Sequence, residues 1–191
     1  MSIYLARNGK MLTRVNGTRS FREIVDPIPP EEVTIGSQTW KTKNLAIDDG
    51  GEGIYTQTVN YWQGKVTEYY YTWPAAVRVA ATVSGWHLPT RTEFDTLATA
   101  VGGSDVAGTK LKSTIGWAYG KGTDDFGFSV LPAGIWYSGS FHYLGNYAIL
   151  WTANEHSSDY AYRSQFNSSE SMNLSNGRMT DACSVRLIKD S

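Results

Sequence analysis

Three histidines, a single cysteine and the adjacent aspartates Asp48-Asp49 and Asp124-Asp125 are the residues of this 191-residue chain whose types could support chemistry. His87 lies in Gly85-Trp86-His87-Leu88-Pro89, where packing or backbone capping is the expected role. His142 and His156 lie in polar, aromatic stretches and suit a binding surface as well as plain exposure. No two histidines have the i, i+4 spacing of a helical metal site, and none begins an H-E-x-x-H pattern. Adjacent residues on a strand point to opposite faces, so neither aspartate pair makes an acid–base dyad. In a turn either pair could hold calcium weakly, though turn-forming is the expected role of both. One cysteine excludes an intramolecular disulfide and a cysteine zinc cluster, and Cys183 is expected to be a buried, inert thiol. There is no G-x-S-x-G elbow, and Gly120-Lys121-Gly122-Thr123 lacks the first glycine of a phosphate-binding loop. The expectation is a protein that is not an enzyme and needs no cofactor or metal.

The bulk numbers narrow the class. Seventeen Lys and Arg against 18 Asp and Glu give a net charge of −1, which excludes a basic nucleic-acid footprint and a polyacidic tail. Hydrophobic residues at 41% can bury a core. The 19 glycines, 7 tryptophans and 12 tyrosines point to a loop-rich, aromatic-packed β or α+β protein. No apolar run approaches the ~20 residues of a membrane span. The N-terminus has no signal-peptide core, so synthesis in the cytoplasm without an export signal is expected.

The elements that must position any site follow from pattern. Tyr4 and Phe21 are the only aromatics in residues 1–32. Residues 26–32 (Asp-Pro-Ile-Pro-Pro-Glu-Glu) read as a stiff connector. Residues 1–32 are therefore taken as an attachment or oligomerisation segment, with short strands at 2–6 and 10–15 around Arg7-Asn8-Gly9. Residues 33–191 form the main domain. Its residues 33–40 alternate as a hairpin turning at Gly36-Ser37, and 48–53 are a loop. A helix is expected over 73–81, with Thr72 as N-cap and Pro74 in the first turn. A second is expected over 93–101, capped by Thr90 or Thr92, with Phe94, Leu97, Ala98 and Val101 on one face. Gly102-Gly103 ends it, and no further helix is expected. Strand-like pieces follow at 126–131, 134–137, 148–152, 160–166 and 184–188. Residues 154–181, rich in Asn and Ser with scattered Tyr and Arg, read either as a solvated loop or as an adaptable binding surface.

Read in order, several motifs fall into one pattern. They are Thr34-Ile35-Gly36-Ser37-Gln38-Thr39-Trp40, Ser84-Gly85-Trp86-His87-Leu88-Pro89-Thr90-Arg91-Thr92-Glu93-Phe94 and Gly108-Thr109-Lys110-Leu111-Lys112-Ser113. After them come Gly116-Trp117, Phe126-Gly127-Phe128-Ser129-Val130-Leu131-Pro132-Ala133-Gly134, Leu150-Trp151-Thr152-Ala153-Asn154-Glu155 and Ser184-Val185-Arg186-Leu187-Ile188. This series resembles the Fibrobacter succinogenes major paralogous domain family over roughly residues 33–190. The resemblance implies an α+β, C-type lectin-like fold with two helices, short antiparallel strands and long loops, related to the formylglycine-generating enzymes. Family members often carry cysteines where this chain has Thr82-Val83 and Leu187, and their absence fits a reducing compartment. The chain lacks the Glu-Pro-Asn, Gln-Pro-Asp and Trp-Asn-Asp motifs of calcium-dependent sugar binding. It also lacks the paired cysteines of the enzymatic relatives.

Within the same fold, the chain is similar to the variable proteins of diversity-generating retroelements, whose C-terminal segment is filled with Asn, Ser, Tyr, Asp and His on a fixed framework. That likeness implies a variable-like region over 136–180, framed by Trp136, Leu144, Ile149, Trp151 and Val185. The ligand-binding residues it implies are Tyr137, His142, Tyr143, Tyr147, His156, Asp159, Tyr160, Tyr162, Arg163, Gln165, Asn167, Ser169, Asn173 and Asn176, with Phe166 as a further anchor. The implied partner is a protein or glycan receptor on a target cell, engaged without nucleic acid or membrane insertion. The protein itself would be a homotrimer assembled through residues 1–32, displayed at a phage tail tip or similar particle. A non-diversified cell-surface adhesion module, a formylglycine-generating-type enzyme with a reactive Cys183 and a virion protein without a ligand are the alternatives.

Overall fold

The computed structural model describes residues 3–5, 11–14, 21–23, 30–61 and 64–190. The chain forms two compact units, Met1–Pro30 and Glu31–Ser191. In the first unit β1 (Ile3–Leu5) pairs antiparallel with β2 (Met11–Arg14), as the alternation predicts, and β2 also pairs with β3 (Phe21–Glu23), which it did not. Arg7-Asn8-Gly9 and residues 26–29 of the proline connector lie outside the described residues.

The second unit is α+β, with mostly antiparallel strands. Strands β4 (Glu32–Ile35) and β5 (Gln38–Lys41) make the expected hairpin, with Gly36 at φ +61° in its turn. A long hairpin follows, β6 (Ile54–Tyr61) and β7 (Gly64–Thr72). Helix α1 (Trp73–Ala80) starts at Thr72-Trp73-Pro74, but the Thr72 side chain makes no cap. The Trp73 amide instead donates to Met179 O at 3.0 Å. After β8 (Trp86–His87), helix α2 (Arg91–Ala100) opens on a complete capping box. Thr90 Oγ1 accepts from Glu93 N, and Glu93 Oε2 accepts from Thr90 N.

The two-helix expectation is corrected here. Helix α3 (Ser104–Leu111) begins directly after the glycines that end α2. Its Gly108 disguised it in sequence, since a mid-helix glycine is a poor helix former. The structure supplies the reason for that glycine: a Cβ there would stand 2.4 Å from the backbone oxygen of Ser171. The remaining strands are β9 (Ile135–Tyr137), β10 (Ser140–His142), β11 (Ala148–Ser157), β12 (Tyr160–Phe166), β13 (Met172–Arg178), β14 (Ala182–Cys183) and β15 (Ile188–Lys189). Two expected strands shrink. Within 126–131 only Val130 bridges, to Lys112, and 184–188 is mostly buried irregular chain between β14 and β15.

Three sheets build the domain, in the orders β4-β5-β15-β8, β10-β9-β14-β7-β6 and β11-β12-β13. The last is a meander with both faces of its root buried. On one face Leu150, Phe166 and Met172 join Trp40, Phe94, Leu97, Leu111 and Phe128. On the other, Ile149, Trp151 and Ala161 join Tyr71, Val79, Cys183 and Val185. Trp40 packs edge-on to Phe128 and tilted on Phe94 at centroid distances of 5.5 and 5.3 Å.

Two buried cations tie the irregular segments to this frame. The Lys112 ammonium is enclosed and donates to the carbonyls of Gly120, Asn167 and Ser169 at 2.5–2.8 Å. Arg186, also enclosed, donates to Phe128 O and Lys41 O and through Nε and Nη2 to Asn44 Oδ1. Asn44 in turn donates to Glu68, which accepts from Tyr61 OH, so the buried charge of Arg186 connects to a buried carboxylate. Replacing Lys112 with Met leaves three part-buried carbonyls without this donor. It is expected to cost about 3 kcal/mol of unfolding free energy in a urea titration.

His87 sits between two carboxylates, Nδ1 2.7 Å from Asp190 and Nε2 2.9 Å from Glu93. Both ring nitrogens must carry protons to donate to both. Burial opposes the charge, but the bonds to Asp190 and Glu93 outweigh it and raise the histidine pKa. Burial likewise opposes ionisation of Glu93, and the Thr90 and His87 hydrogen bonds outweigh it and lower that pKa. The raised group stabilises below its unfolded value of about 6.5, and the lowered one above its unfolded value of about 4.5. Thermal stability should therefore peak between these values and fall as pH rises through the His87 pKa. His87→Gln should remove that alkaline decline in melting curves.

Candidate functional site

The candidate ligand residues divide by the period-two alternation of β12 and its neighbours. On one face, Arg163 and Gln165 line a cleft of about 350 Å³ together with Ile135, Tyr137, Tyr143, Tyr147, Ile149 and Asp181. Asn173 is exposed and pairs directly with Gln165 across the strands, on the same side of the sheet. His142 stacks on Tyr137 at 4.0 Å between centroids, and its Nε2 is 2.9 Å from Ser140 Oγ. Seven of the sequence-derived candidates, Tyr137, His142, Tyr143, Tyr147, Arg163, Gln165 and Asn173, thus fall in one neighbourhood.

The aromatic wall is held by backbone. Gly134 N donates to Tyr147 O, Gly145 N to Pro132 O, and the amides of Asn146 and Tyr147 both donate to Tyr143 O. Tyr143 has φ +59°, an uncommon conformation for a tyrosine that this turn enforces. Its ring is half exposed and lies 5.2 Å from Tyr147 and 6.4 Å from Tyr137, whose hydroxyl donates to its own.

The opposite face of β12 holds a second group. Tyr162 is crossed by Arg91, 4.7 Å from its centroid, and by the edge of His156 at 4.9 Å. Asn176 is its cross-strand partner, and Tyr160 pairs with Arg178. The β11–β12 register shifts between Trp151 and Glu155, and there Asn154 Oδ1 accepts from the Arg91 amide at the start of α2. Asp159 is exposed in the β11–β12 turn, where its carbonyl accepts from Met179 N.

Asn167 and Ser169 stand apart from both groups. They lie in the β12–β13 turn, about 20 Å along the strand from Tyr160. Their carbonyls bind Lys112, and Asn167 Oδ1 accepts from Ser169 N. Two further expectations need correction. Phe166 is fully buried in the core and cannot touch a ligand. Leu144, expected as framework, is 39% exposed at the loop tip.

Residues outside the sequence-derived set also contribute. Asp181 lines the cleft and is half-buried; burial raises its pKa against the pull of Arg163 and Arg178. It also lines a larger neighbouring cleft of about 870 Å³, which borders residues 51–55, the start of α1, Trp136 and Arg178. There Tyr55 stacks on Trp136 at 3.6 Å. A lone aspartate between Thr180 and Ala182 carries no pattern that could have flagged it.

The residues considered for chemistry are engaged structurally. Asp49 is bound by Arg78 through Nε and Nη2, which with the Gly51 amide holds its carboxyl near 2. Asp124 accepts from Ser129 N and Ser129 Oγ. Among the described residues there is no group of three His, Cys, Asp or Glu placed to hold a metal ion, and no helix is long and apolar enough to cross a membrane.

The sequence profile of the Fibrobacter succinogenes major domain matches residues 33–189, most of the chain. The chain belongs to that family. No curated protein and no solved structure matches it. Within this family domain Cys183 is fully buried on β14, and burial pushes its thiol up to about 12. A thiol reagent should therefore leave the native protein unlabelled and modify one site after unfolding. Rapid labelling of the native chain would contradict this burial.

Proposed function

We propose that the domain is a non-enzymatic recognition module with a C-type lectin-like fold. In this reading residues 136–180 are the diversified segment of a retroelement variable protein. The target is a protein or glycan receptor on a cell surface, met by a particle such as a phage tail tip. Residues 1–32 attach the module and assemble it, as a homotrimer, on its carrier.

One observation carries the reading. The polar and aromatic residues of β12 and β13 project from a sheet whose root is fixed from both faces by core residues. Tyr143, Tyr160, Asn173 and Asn176 are exposed, whereas Ile149, Leu150, Trp151, Ala161 and Phe166 between them are buried. Surface substitutions away from special contacts usually alter stability by no more than about 0.5 kcal/mol. Such positions can change identity while the backbone stays put, and a rigid backbone loses little entropy on binding. The buried Cys183 is unsuited to thiol catalysis, since the thiolate is the reactive form.

Sequencing the 3′ end of the gene across sibling genomes tests the proposal. The expected result is substitution concentrated at Tyr137, Tyr143, Tyr160, Tyr162, Arg163, Gln165, Asn173 and Asn176, beside a reverse-transcriptase gene and a near-repeat of the segment. Identical copies, or changes spread evenly over the core as well, would contradict diversification and favour a fixed adhesion module.

A further inference from the structure

Each sheet of the second unit ends in two outer strands, and all but one of these edges are defended against further pairing. Strands β10 and β8 have only three and two residues. Strand β4 has four and carries Glu32, which pairs with Lys189. Strand β11 is bonded at its root to Ser184, and further out it shifts register and carries Glu155 and His156. Helix α3 packs beside β13, which ends in Gly177-Arg178. Strand β6 has none of these devices. It is the outer strand of its sheet and pairs with β7 in unbroken register from Ile54↔Tyr71 to Tyr61↔Gly64. Its eight residues, Ile-Tyr-Thr-Gln-Thr-Val-Asn-Tyr, include no charge, proline or glycine, and most are β-branched or aromatic, as suits a strand paired on both sides.

In an antiparallel ladder alternate residues turn both N–H and C=O away from the partner strand. Half of β6 therefore directs its backbone outward, and among the described residues none of these groups has a protein partner beyond the β6–β7 ladder. The structure that completes such a row is another strand. Its composition indicates which strand. An uncharged segment can lie antiparallel to its own copy with no like charges opposed. Thr56, Thr58 and Asn60 are exposed and alternate along one face, whereas Val59 and Tyr61 are buried on the other. Two copies of β6 would thus set polar side chains against polar ones. Pairing β6 of one copy with β10 of the next would instead propagate as an open fibre, and β10 offers only three residues.

We infer that β6 is an interface for a second copy of this chain, the two β6 strands pairing antiparallel about a two-fold axis and joining their sheets. The inference is independent of the recognition reading, because β6 lies outside residues 136–180. It is also separate from assembly through residues 1–32.

The full chain is tested by sedimentation equilibrium over a range of concentrations. The mass should correspond to an even number of chains: two, or six where residues 1–32 also gather three. The double variant Thr56→Lys, Thr58→Lys brings four ammonium groups to the joint. It should halve the mass while its far-ultraviolet spectrum stays that of the parent, and Thr56→Ser, Thr58→Ser should keep the parent mass. A nitroxide attached to Thr58→Cys should couple strongly to its copy, and dilution with unlabelled chain should abolish the coupling. An odd number of chains in the parent, an unchanged mass in the lysine variant, growth into fibres, or an even mass without coupling at residue 58 would overturn the inference.

Discussion

Carbonyl oxygens outside helices and sheets still need donors once they leave water. This domain has irregular stretches that are buried in part, at 112–134, or throughout, at 184–187, and two enclosed cations supply donors within them. Lys112 gathers the carbonyls of Gly120, Asn167 and Ser169, which joins the loop after α3 to the turn between β12 and β13. Arg186 gathers those of Lys41 and Phe128 and reaches Glu68 through Asn44. Each side chain carries several N–H groups on a single positive charge, so one buried residue replaces several ladder bonds. The cost is desolvation, which lowers the pKa of both groups. That cost is tolerable because the charge is held by closely placed acceptors.

With the irregular chain fixed this way, the β11-β12-β13 meander can be buried at its root on both faces. Its alternation then sends Arg163 and Gln165 toward one cleft and Tyr160 and Tyr162 toward the other side. Work is thereby divided within single strands. Residues such as Trp151, Ser164 and Phe166 hold the sheet, and the residues between them or at its ends are free to face other molecules. The half-exposed Tyr143 shows the same division in a loop, its unusual backbone set by Gly134, Gly145 and Pro132 rather than by its own ring.

Much of this was legible beforehand. The capping signal at Thr90 and Glu93, the Gly36-Ser37 turn and the strand from Tyr160 to Phe166 obey local rules of periodicity and turn chemistry. What escaped depends on distant partners. Helix α3 was hidden by Gly108, whose reason for being glycine is the Ser171 carbonyl some sixty residues away. Strand β13 reads as polar loop because its outward residues are polar and its inward ones include Ser175 and Gly177. The β6–β7 hairpin gave no two-residue turn signal that stood out. For the candidate site, the aromatic residues were identifiable by composition, but their division between two faces required the register of β12. The presence of Asp181 in the cleft is a property of three-dimensional placement alone. Phe166 was misassigned because aromatic content says nothing about which side of a strand faces the core.

The central claim is that scaffold and recognition surface are energetically separate. Saturation libraries displayed at two sets of positions, sorted for protease resistance, test it most directly. The first set is Tyr143, Tyr160, Asn173 and Asn176, and the second is Lys112, Trp151, Phe166 and Arg186. The account predicts that most variants of the first set stay as resistant as the parent, within about 1 kcal/mol, while nearly all of the second set are lost. Comparable loss in both sets would contradict it.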